Sequence, residues 1–340
     1  MKGSSNRRPT LADVARLAGV SLGSASRALS APEEVRPATR EKVQRAVLQL
    51  GYIRDGAARA LASRRTHTVA AIYPTLNNPI FAHSTEAMQH ALWRRGYQLI
   101  IASHEYHVDD EPAVIRSVVE RGVDGLIMVG TDRSEDIYTL LRQRSLPYVL
   151  TWSTDGTQYP HCVGISNFQA MYDLTKVVLD HGHRDIAVCG GHTARNERAR
   201  GRRDGVLAAL EERGLTMRAD WILETPLSYQ AGRDAFRQLW ATSDRPTAIL
   251  FGTDLQAIGA LYEARKLGVR VPQDISILGF DSIEEGAFMQ PALSTIRLPA
   301  RDIGRLAAER MVALIEGAEP PPAEPLEHSV LLRESLGKAP

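Results

Sequence analysis

Residues 10–29 read TLADVARLAGVSLGSASRAL, and this stretch decides the fold of the N-terminal region. Thr10 can N-cap a helix, with Asp13 three residues on as a capping-box partner. Leu11, Val14, Ala15 and Ala18 then fall on one apolar stripe. Gly19 stops that helix, and Ser21 can cap a second one running from Leu22 to about Leu29. The second helix is built almost wholly from small residues: Gly23, Ser24, Ala25, Ser26 and Ala28, behind Ser21. Only Leu22, Arg27 and Leu29 have any reach. The stretch reads as two short helices with a tight turn between them, the second one slender.

The pattern continues outward. Pro37 suits the first position of a third helix, which runs to Leu50 and is closed by Gly51. Its apolar face is Val43, Ala46, Val47 and Leu50. The segment DGAARALASRR follows, Ala-rich and basic, and ends where the pattern changes at Thr66.

Charge separates this head from the rest. Residues 1–65 carry 13 Lys and Arg against 5 Asp and Glu, whereas residues 66–340 carry 28 against 35. The formal net charge of +1 therefore hides a basic head on an acidic body, and only the head is suited to a polyanion.

From about residue 67 the chain alternates. TVAAIYP, QLIIAS, GLIMVG and PYVLTW read as strands separated by helices, and DIAVCGG, WILETP, AILFG and SILGF form a second such series. Strands alternating with helices predict parallel sheets covered on both faces, and the number of units predicts two α/β lobes. HSVLLRES reads as a last short strand.

The length of 340 residues suits two or three domains. No run of about 18 apolar residues predicts a membrane span, and MKGSSNRRPT lacks the apolar core of a signal peptide. Cys162 and Cys189 give no disulfide framework and fit a reducing cytoplasm.

The ordered set TLADVARLAGVSLGSASRAL, TREKVQRAVLQLGY, NNPIFA, RGVDGLIMVG, GHRDIAVCGG, TDLQAIGAL, GVRVPQDISILGFD, PALSTIRLP and LLRES resembles LacI/GalR-type transcriptional regulators over essentially the whole chain. The resemblance implies a multidomain fold: an all-α helix-turn-helix headpiece over 1–54, a hinge helix and linker over 55–66, and a two-lobed α/β core over 67–340. That core would be like a periplasmic binding protein, with one lobe from about 67–166 and 295–325 and the other from about 167–294 and 326–340. It implies a homodimer on a near-palindromic operator in double-stranded DNA, with a small effector between the lobes and no cofactor. The end at LLRESLGKAP, without a further helix, leads us to expect a dimer.

The resemblance puts Leu22, Gly23 and Arg27 at base-reading positions. Arg27 can pair bidentately with guanine, Leu22 can touch a thymine methyl, and Gly23 contributes only room. Thr10, Ser21, Ser24 and Ser26 join them as phosphate contacts or caps, and Leu11 is expected on the same DNA-binding surface. Arg54 and Arg59 add attraction, and Leu61 matches an apolar wedge that opens a minor-groove step. Two departures from the family pattern stand out. Arg54-Asp55 replaces the usual Pro-Asn before Gly56, which predicts a hinge that needs DNA to form. Arg36 stands where a capping Ser is common.

For the effector, the resemblance points to Thr75, Asn78, Phe81, Trp152, Arg198, Arg202, Thr253 and Asp281. Trp152 sits where relatives often place an acid, and an indole there could stack on a sugar ring. Arg198 lies one helical turn before Arg202, and paired guanidiniums favour a carboxylate or phosphate. A sugar acid or sugar phosphate is therefore expected, ahead of a plain sugar. Thr253 replaces a usual Asn, and Asp254 is expected to cap the helix that follows.

Other classes fare worse. No phosphate-binding glycine loop or positioned nucleophile is present, which argues against an enzyme. His104 with His107, and His181 with His183, lack an obvious third ligand, so no metal is expected. A sugar-binding receptor without a DNA role remains the alternative; the basic head argues against it. An architectural DNA protein is disfavoured by the two long α/β lobes.

Overall fold

A computed structural model describes residues 7–54, 65–154, 160–321 and 324–340. The chain divides into two compact units, Met1–Thr66 and His67–Pro340. Residues 55–64, which hold Arg59, Leu61 and most of the expected hinge helix, lie outside the described residues.

In the first unit, α1 spans Leu11–Ala18, α2 Leu22–Ser30 and α3 Pro37–Leu50. A single 3-10 turn at Pro32–Glu34 lies between the last two. The Thr10 hydroxyl caps the Asp13 amide while Asp13 reaches back to the Thr10 amide at 2.9 Å, closing the capping box. Gly19 and Gly51 end α1 and α3 in the left-handed conformation that glycine adopts without a Cβ clash. Val14, Ala15, Ala18, Ala25, Ala28, Val43 and Ala46 form the buried core. The small residues of α2 thus serve packing on one side and slenderness on the other. Arg36 caps nothing, so α3 starts on Pro37 alone.

The second unit holds two parallel sheets. The first runs β2-β1-β3-β4-β5, from Gln98–Ser103, Thr68–Tyr73, Gly125–Val129, Tyr148–Thr151 and Cys162–Val163. Its helices are α4 (Ile80–Arg94), α5 (Glu111–Glu120) and α6 (Glu135–Gln143). Strand β1 is buried on both faces, and its side chains alternate between them. Val69, Ala71 and Tyr73 join Met88 and Leu92 of α4, while Ala70 and Ile72 join Ile115 of α5 and Leu141 of α6.

After α7 (Asn167–Asp180) the second sheet runs β7-β6-β8-β9, from Ile222–Glu224, Ile186–Gly190, Ala248–Phe251 and Ser276–Leu278. Helices α8 (Glu197–Glu212), α9 (Tyr229–Trp240) and α10 (Asp254–Lys266) cover it. WILETP forms only a short strand, because Ala219–Trp221 is a 3-10 turn. A four-residue helix, α11 (Glu284–Ala287), follows β9.

The chain then recrosses. After β10 (Thr295–Arg297), helix α12 (Ala300–Ile315) returns to the first sheet and packs on α4. Gly304 lies so close to the Ser84 carbonyl that a Cβ there would collide with it. β11 (Ser329–Leu331) pairs antiparallel with β10. The tail returns to the second sheet, where the Ile277 amide donates to Ser335 O at 3.0 Å and the Ala339 amide to His181 O at 3.0 Å. The result is an all-α head and a parallel α/β core, the architecture expected from the sequence.

Candidate functional site

On the head, Ser21, Leu22, Gly23 and Arg27 are exposed on α2, opposite the buried Ala25 and Ala28. Leu22 is 54% exposed. A Cβ on Gly23 would find only Ser21 Oγ, at 4.0 Å, so space in front of this residue is open. The Ser21 hydroxyl accepts from the Ser24 amide at 3.0 Å and shares a hydrogen bond with the Ser24 hydroxyl at 2.8 Å. Thr10 is equally engaged in its cap. Leu11 is partly buried on the head's core. Arg54, expected as a source of attraction for DNA, donates to Leu29 O at 3.3 Å, a cation at the C-terminal end of α2. Arg59 and Leu61 lie outside the described residues.

In the second unit, a cleft opens between the two sheets. Asn78, Phe81, Trp152, Arg198, Arg202, Thr253 and Asp281 all line it. Thr75 does not. Its hydroxyl donates to Glu105, on the loop after β2, at 2.6 Å and accepts from the Asn77 amide at 3.1 Å.

The aromatic wall comes from the C-terminal edge of the first sheet, whose strands β1, β3 and β4 are parallel. Phe81 opens α4, and Trp152 follows β4; their rings meet edge to face at 5.1 Å between centroids. Trp152 holds a left-handed backbone (φ +70°), kept in place by its amide on Val163 O at 2.9 Å and by Asn167 Nδ2 on its carbonyl at 2.9 Å. Tyr106 (φ +60°) and Asp281 (φ +121°) are also in this region, and all three line the cleft. Strained non-glycine backbone gathered at one cavity is a mark of a functional site.

The polar wall is organised around Arg202. Its Nε donates to Asn167 Oδ1 at 2.9 Å and its Nη1 to Gly252 O at 2.5 Å, and its guanidinium lies 3.8 Å from the Phe280 ring centroid. Burial pushes its pKa down to about 10. Opposite, burial pushes the Asp281 carboxyl up to about 7, against the pull of the Arg202 charge. Asn78 Nδ2 donates to Asp281 Oδ2 at 2.9 Å and joins the two walls. Burial also raises Tyr106, to about 12, so it is a phenol that can donate.

Arg198 pairs with its neighbour Glu197 at 3.1 Å. Glu197 also accepts from the Thr131 amide at 2.9 Å and the Asp132 amide at 3.2 Å, on the turn after β3. Further out, Arg203 faces Glu224 at 3.8 Å. Each guanidinium of the cleft thus has a carboxylate near it, which weakens the expectation of a strongly anionic ligand.

Asp254 corrects an expectation. Thr253, not Asp254, caps α10, accepting from the Gln256 amide at 3.4 Å. The buried Asp254 carboxylate instead accepts from the Ile283 amide at 2.8 Å and the Thr295 hydroxyl at 2.6 Å, tying β10 and the loop after β9 together. The His181 and His183 nitrogens are also engaged: His181 Nδ1 with Val177 O at 2.7 Å, His183 Nδ1 with the Thr247 hydroxyl at 2.9 Å.

The sequence reading missed Tyr106, Asn167, Glu197 and Glu224. Tyr106 and Asn167 carry no motif of their own. Glu197 was concealed in the arginine-crowded run RNERARGRR, where a lone acid reads as a solvated countercharge.

Comparison with known proteins extends this picture. Residues 10–55 match the family described as bacterial regulatory proteins, lacI family, and residues 175–336 match the periplasmic binding protein-like domain. The HTH-type transcriptional repressor PurR of Yersinia enterocolitica is 30% identical over 97% of this chain and 98% of its own. The transcriptional regulator CelR, solved in complex with cellobiose, is 29% identical over 96% of this chain and all of its own, with a TM-score of 0.71. The lac repressor dimer bound to operator and the anti-inducer ONPF has the same fold, with a TM-score of 0.87 at 24% identity over 97% of this chain and all of its own.

Proposed function

The chain belongs to the LacI family of transcriptional regulators and is a DNA-binding repressor rather than an enzyme; from that premise we propose that a small hydroxyl-rich effector, a sugar or sugar acid, controls it from the interlobe cleft. One observation carries this reading: Arg202, Asp281 and Asn78 converge opposite the Phe81–Trp152 pair. An aromatic wall packs on the apolar face of a sugar ring, while the carboxylate and guanidinium take hydroxyls at its edge. A sugar phosphate, the other class expected, suits the cleft less well. A dianion needs uncompensated positive charge, and here Glu197, Glu224 and Asp281 lie among the arginines. The CelR–cellobiose complex gives independent support to a sugar.

For DNA, we propose that α2 enters the major groove of a near-palindromic operator as part of a homodimer, with Leu22 and Arg27 reading bases. Headpiece 1–54, hinge 55–66 with Leu61 as wedge, and core 67–340 are the working division. A receptor without a DNA role is disfavoured by the regulator match over residues 10–55.

The test is a thermal-shift panel of sugars, sugar acids and sugar phosphates on the full-length protein, followed by gel-shift on a selected operator. A sugar or sugar acid should raise Tm and change operator affinity. If only phosphorylated compounds do so, the charge argument is wrong; if a binder leaves operator affinity unchanged, the cleft is not a control site. Circular-permutation gel-shift with Leu61→Ala tests the wedge through the loss of DNA bending.

A further inference from the structure

We infer that Glu197 is a positioning residue that ties the two lobes together and aims Arg198 into the cleft. The inference rests on the cleft being the effector site, but its geometry stands without any ligand. Glu197 opens α8 on the second lobe, and its side chain is only 10% exposed. Both carboxylate oxygens reach across to the first lobe. Oε1 accepts from the Thr131 amide at 2.9 Å and Oε2 from the Asp132 amide at 3.2 Å. The same Oε1 holds Arg198 Nη1 at 3.1 Å.

The receiving turn is itself held by several hydrogen bonds. Beneath it, Arg133 donates to Gly130 O and, at 2.5 Å, to Val129 O, while its Nε bonds Glu111 at 2.9 Å. The Tyr138 hydroxyl donates to Thr131 O at 2.6 Å. The two amides are thus held ready for an acceptor, and a charged acceptor makes the stronger bond. Gly130 supplies a second, independent observation. It has φ +84°, and a Cβ there would collide with the Arg198 guanidinium, which lies against its Cα. Arg198 therefore rests in a seat on the opposite lobe, with Glu197 holding it there. Burial opposes the Glu197 charge, and Arg198 and the Thr131 amide overcome it to hold the carboxyl below its usual range.

Two more pairs cross at the same edge, Arg200 with Asp132 at 2.7 Å and Arg195 with Asp109, but they are more exposed and more screened. Glu197 is the buried member of this edge. The lobes should loosen when it is altered and should not when the exposed pairs are.

The experiment is hydrogen exchange with residue-level resolution at Thr131 and Asp132, in the full chain without ligand. It compares wild type with Glu197→Gln, Glu197→Ala and the control Arg200→Ala. Glu197→Gln keeps size and one acceptor but presents an NH₂ to the second amide. We expect exchange at these two amides to rise about tenfold or more in both Glu197 variants. The β6 and β8 amides should not move, and Arg200→Ala should resemble wild type. In parallel, phenylglyoxal labelling mapped by mass spectrometry should modify Arg198 several-fold faster in Glu197→Gln, with Arg202 unchanged. A general loss of packing would raise both arginines together. Unchanged exchange at Thr131 and Asp132, or equal acceleration of Arg198 and Arg202, overturns the proposal. If exchange and labelling respond as stated while no sugar or sugar acid binds, the latch stands and the ligand class falls.

Discussion

Asn78 and Asp281 meet across the cleft, with Asn78 Nδ2 donating to Asp281 Oδ2 at 2.9 Å and both residues almost fully buried. One belongs to the loop before α4, the other to the turn after β9. The bond gives Asp281 a fixed direction, and burial gives it an unusual acidity. Arg202 and Tyr106 stand near it, and Asp254 lies close enough to raise it further.

This environment sets a pH dependence. The Asp281 carboxyl titrates near pH 7 in the folded protein and near 3.8 when unfolded. Between those values the folded state holds the extra proton, so its contribution to stability falls as pH rises from about 4 to about 7. Asp281→Asn removes that slope. The Tm difference, variant minus wild type, should therefore rise between pH 5 and about pH 7 and level off above it, whatever its value at pH 5. A flat difference in thermal melts across that range would contradict it. A ligand that donates a hydroxyl to the carboxylate should bind more tightly as pH passes 7.

Arg202 bonds Asn167 and Gly252 and lies over Phe280. Arg202→Ala should destabilise the core by about 1–3 kcal/mol, because the Gly252 carbonyl and Asn167 lose a donor. It should abolish the effector response while operator binding at a permissive temperature persists. Arg202→Lys keeps the charge but not the fork, and should restore stability more than response. Urea melts and gel-shifts with and without effector separate the two effects. A full response in Arg202→Ala would remove it from the site.

On α2, Arg27 and Gly23 should behave oppositely. Arg27→Ala should relax preference at one base pair per half-site, at a cost of about 1–3 kcal/mol, read by selection from a random operator library. Gly23→Ala meets no clash, since Ser21 Oγ is 4.0 Å away. It should raise headpiece stability by up to about 1 kcal/mol, because glycine is a poor helix former. An unaltered selection profile in Arg27→Ala would exclude a reading role.

Where α12 crosses α4, Gly304→Ala should destabilise by about 1–3 kcal/mol, because a Cβ would strike the Ser84 carbonyl. Chemical denaturation of the second unit measures this. Wild-type stability would mean that the two helices can part without loss.

Much of this was legible before any coordinates. The Thr10–Asp13 box, the Gly19 and Gly51 stops and the apolar face of α3 are local patterns, and they appear where the residues put them. β2 falls on QLIIAS residue for residue. The failures share a cause. Thr75 and Asp254 were each judged by position or type, and each is engaged by a distant partner: Glu105, and the Ile283 amide with Thr295. Hydrogen-bond partners 25 or more residues away leave no trace in spacing.

The amino-acid sequence by itself determined the all-α head, the alternating α/β core and the family, because helix caps, strand runs and ordered motifs are short-range signals. Seven of the eight effector residues it marked do line the cleft. Only the tertiary structure decided what those residues can do. It set Asp281 against Arg202 and Asn78, gave each cleft arginine a nearby carboxylate, and turned an unremarked Glu197 into a bridge between lobes. The physical reason is that charge, acidity and hydrogen-bond satisfaction depend on distance and burial in space, and these come from parts of the chain far apart in sequence.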